Sequence, residues 1–145
     1  MKTCLFLGYK NKKTKLISAI KNKRWKVVQW GNKRPTLDFK KYDLIISFGY
    51  KHLIKKKILA NCKRPLINLH ISYLPYNKGS NPNFWSFIKN TPKGISIHEM
   101  NEKIDSGNLI YRKKIHFKKN INSFKSTYKI LLFELEKLFI KKINM

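Results

Sequence analysis

The residues of this sequence best suited to chemistry are an asparagine and a histidine two positions apart, Asn68 and His70, and a later aspartate, Asp105. Asn68 and His70 end the short apolar segment 66–70, which follows Pro65 and is typical of a β-strand. Because side chains alternate along a strand, both point to the same side at its exit. An amide donor beside an imidazole is suited to stabilising an oxyanion in acyl transfer.

Asp105 lies in a glycine-containing loop, residues 104–107, between two predicted strands. A carboxylate at this point could orient His70 or accept a proton from an incoming nucleophile. No serine or cysteine occupies a strained strand-to-helix turn, so direct transfer between two bound substrates is favoured over a covalent intermediate. An Asn-x-His pair at a strand end is nevertheless more often structural, and spacing alone does not bring Asp105 near it.

The remaining histidines have structural interpretations, since His52 opens a predicted helix while His98 and His116 lie in predicted strands. No pair of histidines has the spacing of metal ligands, so we expect no metal. Cys4 and Cys62 lack a C-x-x-C partner, which argues against a disulfide framework and a cysteine zinc site. A reduced, cytoplasmic setting is the expectation.

The elements that must position these residues form two halves of different character. Apolar strands are predicted at 4–7, 26–30, 44–48 and 66–70, with helices at 12–23 and 52–62. This alternation predicts an α/β fold with a doubly wound, mainly parallel sheet, in which ligands bind at the carboxyl ends of the strands. The second half is predicted to contain a loop at 71–83, a helix at 84–90, strands at 95–100 and 109–117, and a last helix capped by Asn122 or Ser123.

Composition indicates one domain, residues 1–145, since 42% of the 145 residues are hydrophobic and no apolar run reaches membrane-spanning length. The net charge is +26, yet 29 of the 33 basic residues are lysines, and codon bias of a low-GC genome explains this better than nucleic-acid binding does. We expect neither a specific nucleic acid nor a membrane as partner. Three of the seven acidic residues, Glu99, Glu102 and Asp105, lie together.

Three separated motifs resemble the folate-dependent formyltransferases. They are Ile67-Asn68-Leu69-His70-Ile71-Ser72-Tyr73-Leu74-Pro75 with Gly79 after it, then Gly94-Ile95-Ser96-Ile97-His98, and then Ile104-Asp105-Ser106-Gly107. The resemblance covers about residues 42–118 and implies a Rossmann-like catalytic domain. It implies that Asn68, His70 and Asp105 are catalytic, and that 10-formyltetrahydrofolate donates a formyl group to a substrate amine in a one-carbon group transfer.

The resemblance also implies which residues contact the two substrates. The folate would lie against Tyr50, His52, Leu53, Ile54, Asn101 and Ile104. The acceptor would contact the loop that contains Ser72, Leu74, Pro75, Asn77, Lys78 and Gly79. In the implied mechanism Asn68 and His70 stabilise the oxygen of the attacked formyl group, while Asp105 takes the amine proton directly or through water.

Residues 73–87 and 91–94 are most similar to the sugar-nucleotide N-formyltransferases, which favours a nucleotide-linked amino sugar as acceptor. The alternatives are glycinamide ribonucleotide or methionyl-tRNA as acceptor, or a degenerate folate- or RNA-binding module without turnover. Glycinamide ribonucleotide enzymes carry a glycine-rich loop where this chain has residues 8–12. Methionyl-tRNA enzymes carry a further C-terminal domain, whereas here we expect one helix to complete the fold.

One departure from the family is a short, polar connection at residues 31–41, where a strand-and-helix unit is expected. The shortening would leave a sheet edge or helix face for a second subunit to cover. We therefore predict a homodimer.

Overall fold

The computed structural model describes residues 1–121 and 123–143, which form six strands and four α-helices. The first half contains β1 (Thr3–Gly8), α1 (Leu16–Asn22), β2 (Lys26–Gly31), a short 3-10 helix (Phe39–Lys41), β3 (Leu44–Phe48), α2 (Lys56–Ala60) and β4 (Ile67–His70). The second half contains α3 (Pro82–Ile88), β5 (Gly94–Glu99), β6 (Leu109–Lys114) and α4 (Phe124–Lys142).

The six strands make one sheet in the order β2-β1-β3-β4-β5-β6. The first four strands pair in parallel, and β5 and β6 extend the sheet antiparallel to them. The predicted α/β class with a mainly parallel, doubly wound sheet is therefore confirmed. The antiparallel pairing of β4 with β5 places Asn68 directly opposite His98.

The sheet is covered on both faces, because the central strands are apolar on both of their sides. Along β1, Cys4 and Phe6 pack on one face against α1 and α4, while Leu5 and Leu7 pack on the other. All five residues of β3 are buried, as expected of a parallel strand with both faces covered. Only the edge strands β2 and β6 leave much of their length exposed.

The connection at residues 31–41, expected to be only polar, contributes to the core. Phe39, in the 3-10 helix, is buried against Leu5, Leu7 and Ile45 on the sheet face opposite α4. The predicted helix 52–62 is shortened to α2, because hydrogen bonds to the connection at residues 31–41 hold the chain after β3 outside a helix. The hydroxyl of Tyr50 donates to the Lys33 carbonyl at 2.7 Å, and the amide of Lys51 donates to Oδ1 of Asn32 at 2.9 Å.

The last helix, α4, is hydrogen-bonded to the segment between β1 and α1 near the start of the chain. Ser123 caps it by accepting a hydrogen bond from the Ser126 amide, whereas Asn122, the other predicted cap, lies outside the described residues. Thr14 donates to the buried carboxylate of Glu136 at 2.7 Å, and the hydroxyl of Tyr128 donates to that of Tyr9 at 3.0 Å. Within residues 1–121 and 123–143, no helix is long and apolar enough for a membrane crossing.

Candidate active site

A cavity of about 860 Å³ opens at the carboxyl ends of β3 and β4, where ligands of such sheets bind. Asn68, His70 and Asp105, predicted as catalytic from their types, all line it. The structure thus brings Asp105 to the strand-end pair, which spacing in the sequence could not show. We call Asn68, His70, His98 and Asp105 the polar cluster.

Asp105 is the centre of the polar cluster, and each of its carboxylate oxygens has two neighbours. Oδ1 accepts a hydrogen bond from the Asn68 amide at 3.0 Å and lies 3.3 Å from Nε2 of His98. Oδ2 accepts from the backbone N–H of Gly79 at 2.8 Å and lies 3.5 Å from Nε2 of His70. Side chains of β4 and β5 and the backbone of the loop at Gly79 therefore surround one carboxylate that is 10% exposed.

The two histidines are oriented by backbone carbonyls. His98 donates from Nδ1 to the Glu99 carbonyl at 2.8 Å, and its Nε2 lies 3.0 Å from the amide nitrogen of Asn68. His70 donates from Nε2 to the Asn77 carbonyl at 2.9 Å. Nδ1 of His70 has no hydrogen-bond partner in the part of the chain that the structure describes.

The loop before β6 positions Asp105 through an unusual backbone. Asp105 has a φ of 46°, in the left-handed region that asparagine and aspartate tolerate better than most residues. Two residues on, a Cβ at Gly107 would lie 1.6 Å from the carbonyl oxygen of Glu99. The close approach of the loop to β5 explains why a glycine follows the aspartate at this spacing.

In the polar cluster the pKa values of Asp105 and His70 are both lowered, so that the negative charge of Asp105 is kept. Burial alone would raise the pKa of Asp105, but His98, His70 and the Gly79 amide outweigh it and lower that pKa below its usual value. Burial lowers the pKa of His70, although Asp105 acts in the opposite direction. At neutral pH the cluster therefore pairs an ionised carboxylate with a neutral His70.

This arrangement can perform acid–base and oxyanion chemistry at the wall of a cavity. The ionised Asp105 can stabilise an imidazolium that forms on His70, and the free Nδ1 of His70 can accept a proton. The donors of Asn68 are occupied by Asp105 and His98, so a substrate oxygen would take over one of these hydrogen bonds. Within the described residues, no group of three histidine, cysteine or acidic residues could hold a metal ion.

The residues predicted to contact folate lie around the cavity, with one exception. Tyr50, His52, Leu53, Asn101 and Ile104 all line it, and Leu53 and Ile104 are 62% and 53% exposed. Ile54 does not line the cavity, because its side chain is buried in the core beneath, and a folate contact with its backbone stays a prediction.

The residues predicted to contact the acceptor mostly shape their own loop, and only Gly79 lines the cavity. Ser72 donates to the Tyr76 carbonyl, and Asn77 donates from Nδ2 to Thr91. The side chain of Leu74 is buried, and its backbone N–H donates to the hydroxyl of Ser96. Pro75, which follows a cis peptide bond, is exposed. The side chain of Lys78 donates to the hydroxyl of Ser106. Acceptor contacts from Ser72, Leu74, Pro75, Asn77 and Lys78 therefore stay a prediction, and in the structure these residues shape the loop beside the cavity.

Two groups of residues at this site were missed from the sequence, one buried member of the polar cluster and one set of residues that line the cavity. The first is His98, which the cross-strand pairing of β4 and β5 brings to Asn68 and which alternation along a strand cannot locate. The second comes from the starts of α3 and α4, and it comprises Asn81, Pro82, Asn83, Phe84, Phe124, Lys125 and Tyr128. The apolar stripe of α4 predicted only packing, which its buried residues confirm.

Comparison with known proteins places this geometry in a family. A family model described as formyl transferase matches residues 5–143. GDP-perosamine N-formyltransferase of Brucella melitensis is 30% identical over 103 residues, which are 68% of this chain and 40% of that protein. Methionyl-tRNA formyltransferase of Prochlorococcus marinus is 35% identical over 106 residues, which are 71% of this chain and 31% of that protein. The chain thus spans less than half the length of either relative.

A solved structure extends the similarity to almost all of the chain. The formyltransferase PseJ from Anoxybacillus kamchatkensis, in complex with UDP-4,6-dideoxy-4-formamido-L-AltNAc and tetrahydrofolate, superposes with a TM-score of 0.87 at 35% identity. The match covers 96% of this chain and 73% of that one. This chain therefore belongs to the folate-dependent formyl transferase family and resembles the sugar N-formyltransferases within it.

Proposed function

We propose that this chain transfers a formyl group from 10-formyltetrahydrofolate to the amine of a nucleotide-linked amino sugar. The observation that carries the proposal is Asp105 held between Asn68 and His70 at the wall of a cavity. Family membership supports formyl transfer. The likeness to PseJ, which holds a formylated UDP-sugar and tetrahydrofolate, supports a nucleotide-linked acceptor.

The residues around Leu53 fit a folate. Exposed apolar side chains at Leu53 and Ile104, with Tyr50 and His52 nearby, suit a flat ring system that also needs polar partners. Asn101 adds a side-chain amide at the same part of the cavity wall. When bound, 10-formyltetrahydrofolate supplies the formyl group that is transferred.

In the proposed mechanism, the polar cluster stabilises charge and moves one proton. The Asn68 amide donates a hydrogen bond to the oxygen on which negative charge develops when the amine attacks. Because its pKa is lowered, Asp105 is a weak base and serves chiefly as the fixed negative charge. The proton of the attacking amine passes to Nδ1 of the neutral His70, directly or through water, and Asp105 stabilises the resulting imidazolium. When the tetrahedral intermediate collapses, the bond between the formyl carbon and N10 of the folate breaks, and the imidazolium returns the proton to N10, so that tetrahydrofolate leaves.

The proposal is tested by incubating the protein with 10-formyltetrahydrofolate and a panel of amines. The panel contains UDP- and GDP-linked amino sugars, glycinamide ribonucleotide and methionyl-tRNA, and the readout is the mass gain of one formyl group. We expect formylation of an amino-sugar nucleotide. Folate binding without formylation of any acceptor would contradict turnover and support a module that only binds.

The basic surface requires a control, since a net charge of +26 attracts any polyanion. RNA binding should fall steeply between about 50 and 200 mM salt, because phosphate contacts release counterions. Formylation of an amino-sugar nucleotide, which carries few phosphates, should depend much less on salt. Binding that selects initiator tRNA and persists at 200 mM salt would make methionyl-tRNA the better acceptor.

We further propose that residues 1–145 act as one catalytic domain, in a reduced cytoplasmic setting consistent with the free thiols of Cys4 and Cys62. We expect a homodimer at micromolar concentration, because β2 is an edge strand of the described sheet and leaves one side of its backbone for a second subunit to pair with. Light scattering of the active protein checks the prediction. A fully active 17.3 kDa monomer would contradict it.

A further inference from the structure

The set of lining residues at the starts of α3 and α4 has no part in the mechanism proposed above. It belongs to the same cavity as the polar cluster, yet it is separate in sequence from the residues assigned to folate. Phe84 and Phe124 are the largest apolar side chains in it, and we call this pair the aromatic rim. Their rings lie 5.2 Å apart between centroids.

The aromatic rim is exposed in a way that packing of α3 on α4 does not require. Phe84 is 40% exposed and Phe124 47% exposed, although both belong to a residue type that is usually buried. Their positions are nevertheless fixed, since Nδ2 of Asn83 donates to Thr127 at 2.9 Å and to the Phe124 carbonyl at 3.3 Å. The rings therefore form a rigid apolar surface at a cavity wall.

Charge beside the aromatic rim selects the kind of ligand. Lys125 lines the cavity next to Phe124, and Lys51 and Lys103 also line it. Among the described residues that line the cavity, Asp105 is the one acidic residue, and its two oxygens already accept hydrogen bonds from Asn68 and Gly79. A flat ring surface next to a lysine matches a nucleobase joined to phosphates.

We propose that Phe84 and Phe124 pack against the base of the nucleotide-linked acceptor, and that Lys125 pairs with its phosphates. The inference rests on the proposed function and adds the residues that recognise the nucleotide. A cavity of about 860 Å³ lies in the size range of small-molecule sites, so the proposed ligand is a nucleoside diphosphate and not RNA.

The experiment measures binding of UDP and of GDP by calorimetry without folate, so that it does not depend on turnover. Phe84→Ala and Phe124→Ala should each weaken the preferred nucleotide about 10-fold, the usual scale for loss of an aromatic–base contact. Lys125→Ala should weaken it about 10-fold and leave binding of the free nucleoside unchanged. Inorganic pyrophosphate should bind equally to the wild type and the two phenylalanine variants.

Two variants on the same helix serve as matched controls. Phe133→Ala removes an exposed phenylalanine of α4 that does not line the cavity. Lys129→Ala removes one charge of α4 outside the lining, so it lowers non-specific attraction as much as Lys125→Ala does. Both controls should keep wild-type affinity for UDP and GDP within about 2-fold, a change of about 0.4 kcal/mol.

Three outcomes would overturn the proposal. They are unchanged affinity in the aromatic-rim variants, an equal loss in the controls, and a wild type that binds neither nucleotide. If Phe124→Ala does not fold by circular dichroism, Phe124→Leu keeps the apolar volume without the flat ring and should still lose affinity. Formylation of an amino-sugar nucleotide with unchanged UDP and GDP binding would reject this assignment while leaving the proposed function intact.

Discussion

The polar cluster and the aromatic rim bound the same cavity but are built in opposite ways. The cluster is buried, and Asp105 is held there by hydrogen bonds from Asn68 and Gly79 and by close contacts with His70 and His98. The rim is about half exposed and is held by ring contacts and one asparagine. The difference suggests that geometry is fixed where charge must be stabilised, while exposed apolar area is kept where a ligand can cover it.

The largest expected effect lies in the polar cluster. Asp105→Asn, Asn68→Ala and His70→Asn should each lower turnover at least about 100-fold, the usual scale for an oxyanion or acid–base group. Formyl transfer measured at saturating substrates checks this, with circular dichroism to confirm folding.

Asp43→Asn is the matched control for Asp105→Asn. Asp43 accepts hydrogen bonds from the Thr3 amide and Lys63, and it does not line the cavity. Its variant should retain near wild-type turnover. Near-native turnover in any of the three cluster variants would remove the role given to that residue.

A second, smaller effect should follow from the loop that carries Asp105. Gly107→Ala places a Cβ against the Glu99 carbonyl, so the loop must move, at a cost of about 1–3 kcal/mol of stability. Turnover should fall as well, because Asp105 moves with the loop. Ser106→Ala, at the exposed neighbouring position, is the control and should change neither quantity much. An unchanged unfolding midpoint in Gly107→Ala would contradict the close approach.

The buried His70 should make the protein sensitive to acid. Burial lowers the pKa of His70 in the folded state, so below about pH 6.5 the unfolded chain binds a proton that the folded chain does not. Stability should therefore fall from pH 7 to pH 5, and His70→Gln should lose less over that range. Urea unfolding of both proteins at the two pH values measures the difference. The lowered pKa of Asp105 contributes only nearer pH 4.

The smallest effect is expected at the support of the aromatic rim. Ser123→Ala removes the cap of α4 and should cost about 1 kcal/mol of stability. Turnover should hardly change, because the polar cluster does not depend on this cap. Ser18→Ala, the same substitution at an exposed position inside α1, should leave stability equal or slightly higher. Equal losses in the two variants would contradict the capping contact.

The sequence predicted elements and residue types better than it predicted neighbours. The buried runs of β1 and β3 were predicted to within two residues, because continuous apolar residues leave little choice. Helix α2 was predicted too long, because Tyr50 and Lys51, which precede it, donate hydrogen bonds to Lys33 and Asn32, distant in sequence. His98 was interpreted as structural, since only the strand register shows that it faces Asn68.

The difficulty of predicting neighbours from sequence also applies to the loop of residues 72–79, which was expected to contact the acceptor. Ser72 and Asn77 have the polar groups expected of ligand contacts, but those groups bind Tyr76 and Thr91. Periodicity carries no information on how an irregular segment folds back on itself. The aromatic rim was missed for a related reason, since Phe124 belongs to an apolar stripe that mostly packs on the sheet.

The bonds between α4 and the first elements have a consequence for how the protein is made. Tyr128 meets Tyr9 across 119 residues of sequence, and Glu136 meets Thr14 across 122. Contacts of such long sequence separation form late and slow the folding of a chain. During synthesis, the cavity wall is completed only after residue 128 has left the ribosome, so the nascent chain carries an open site until then.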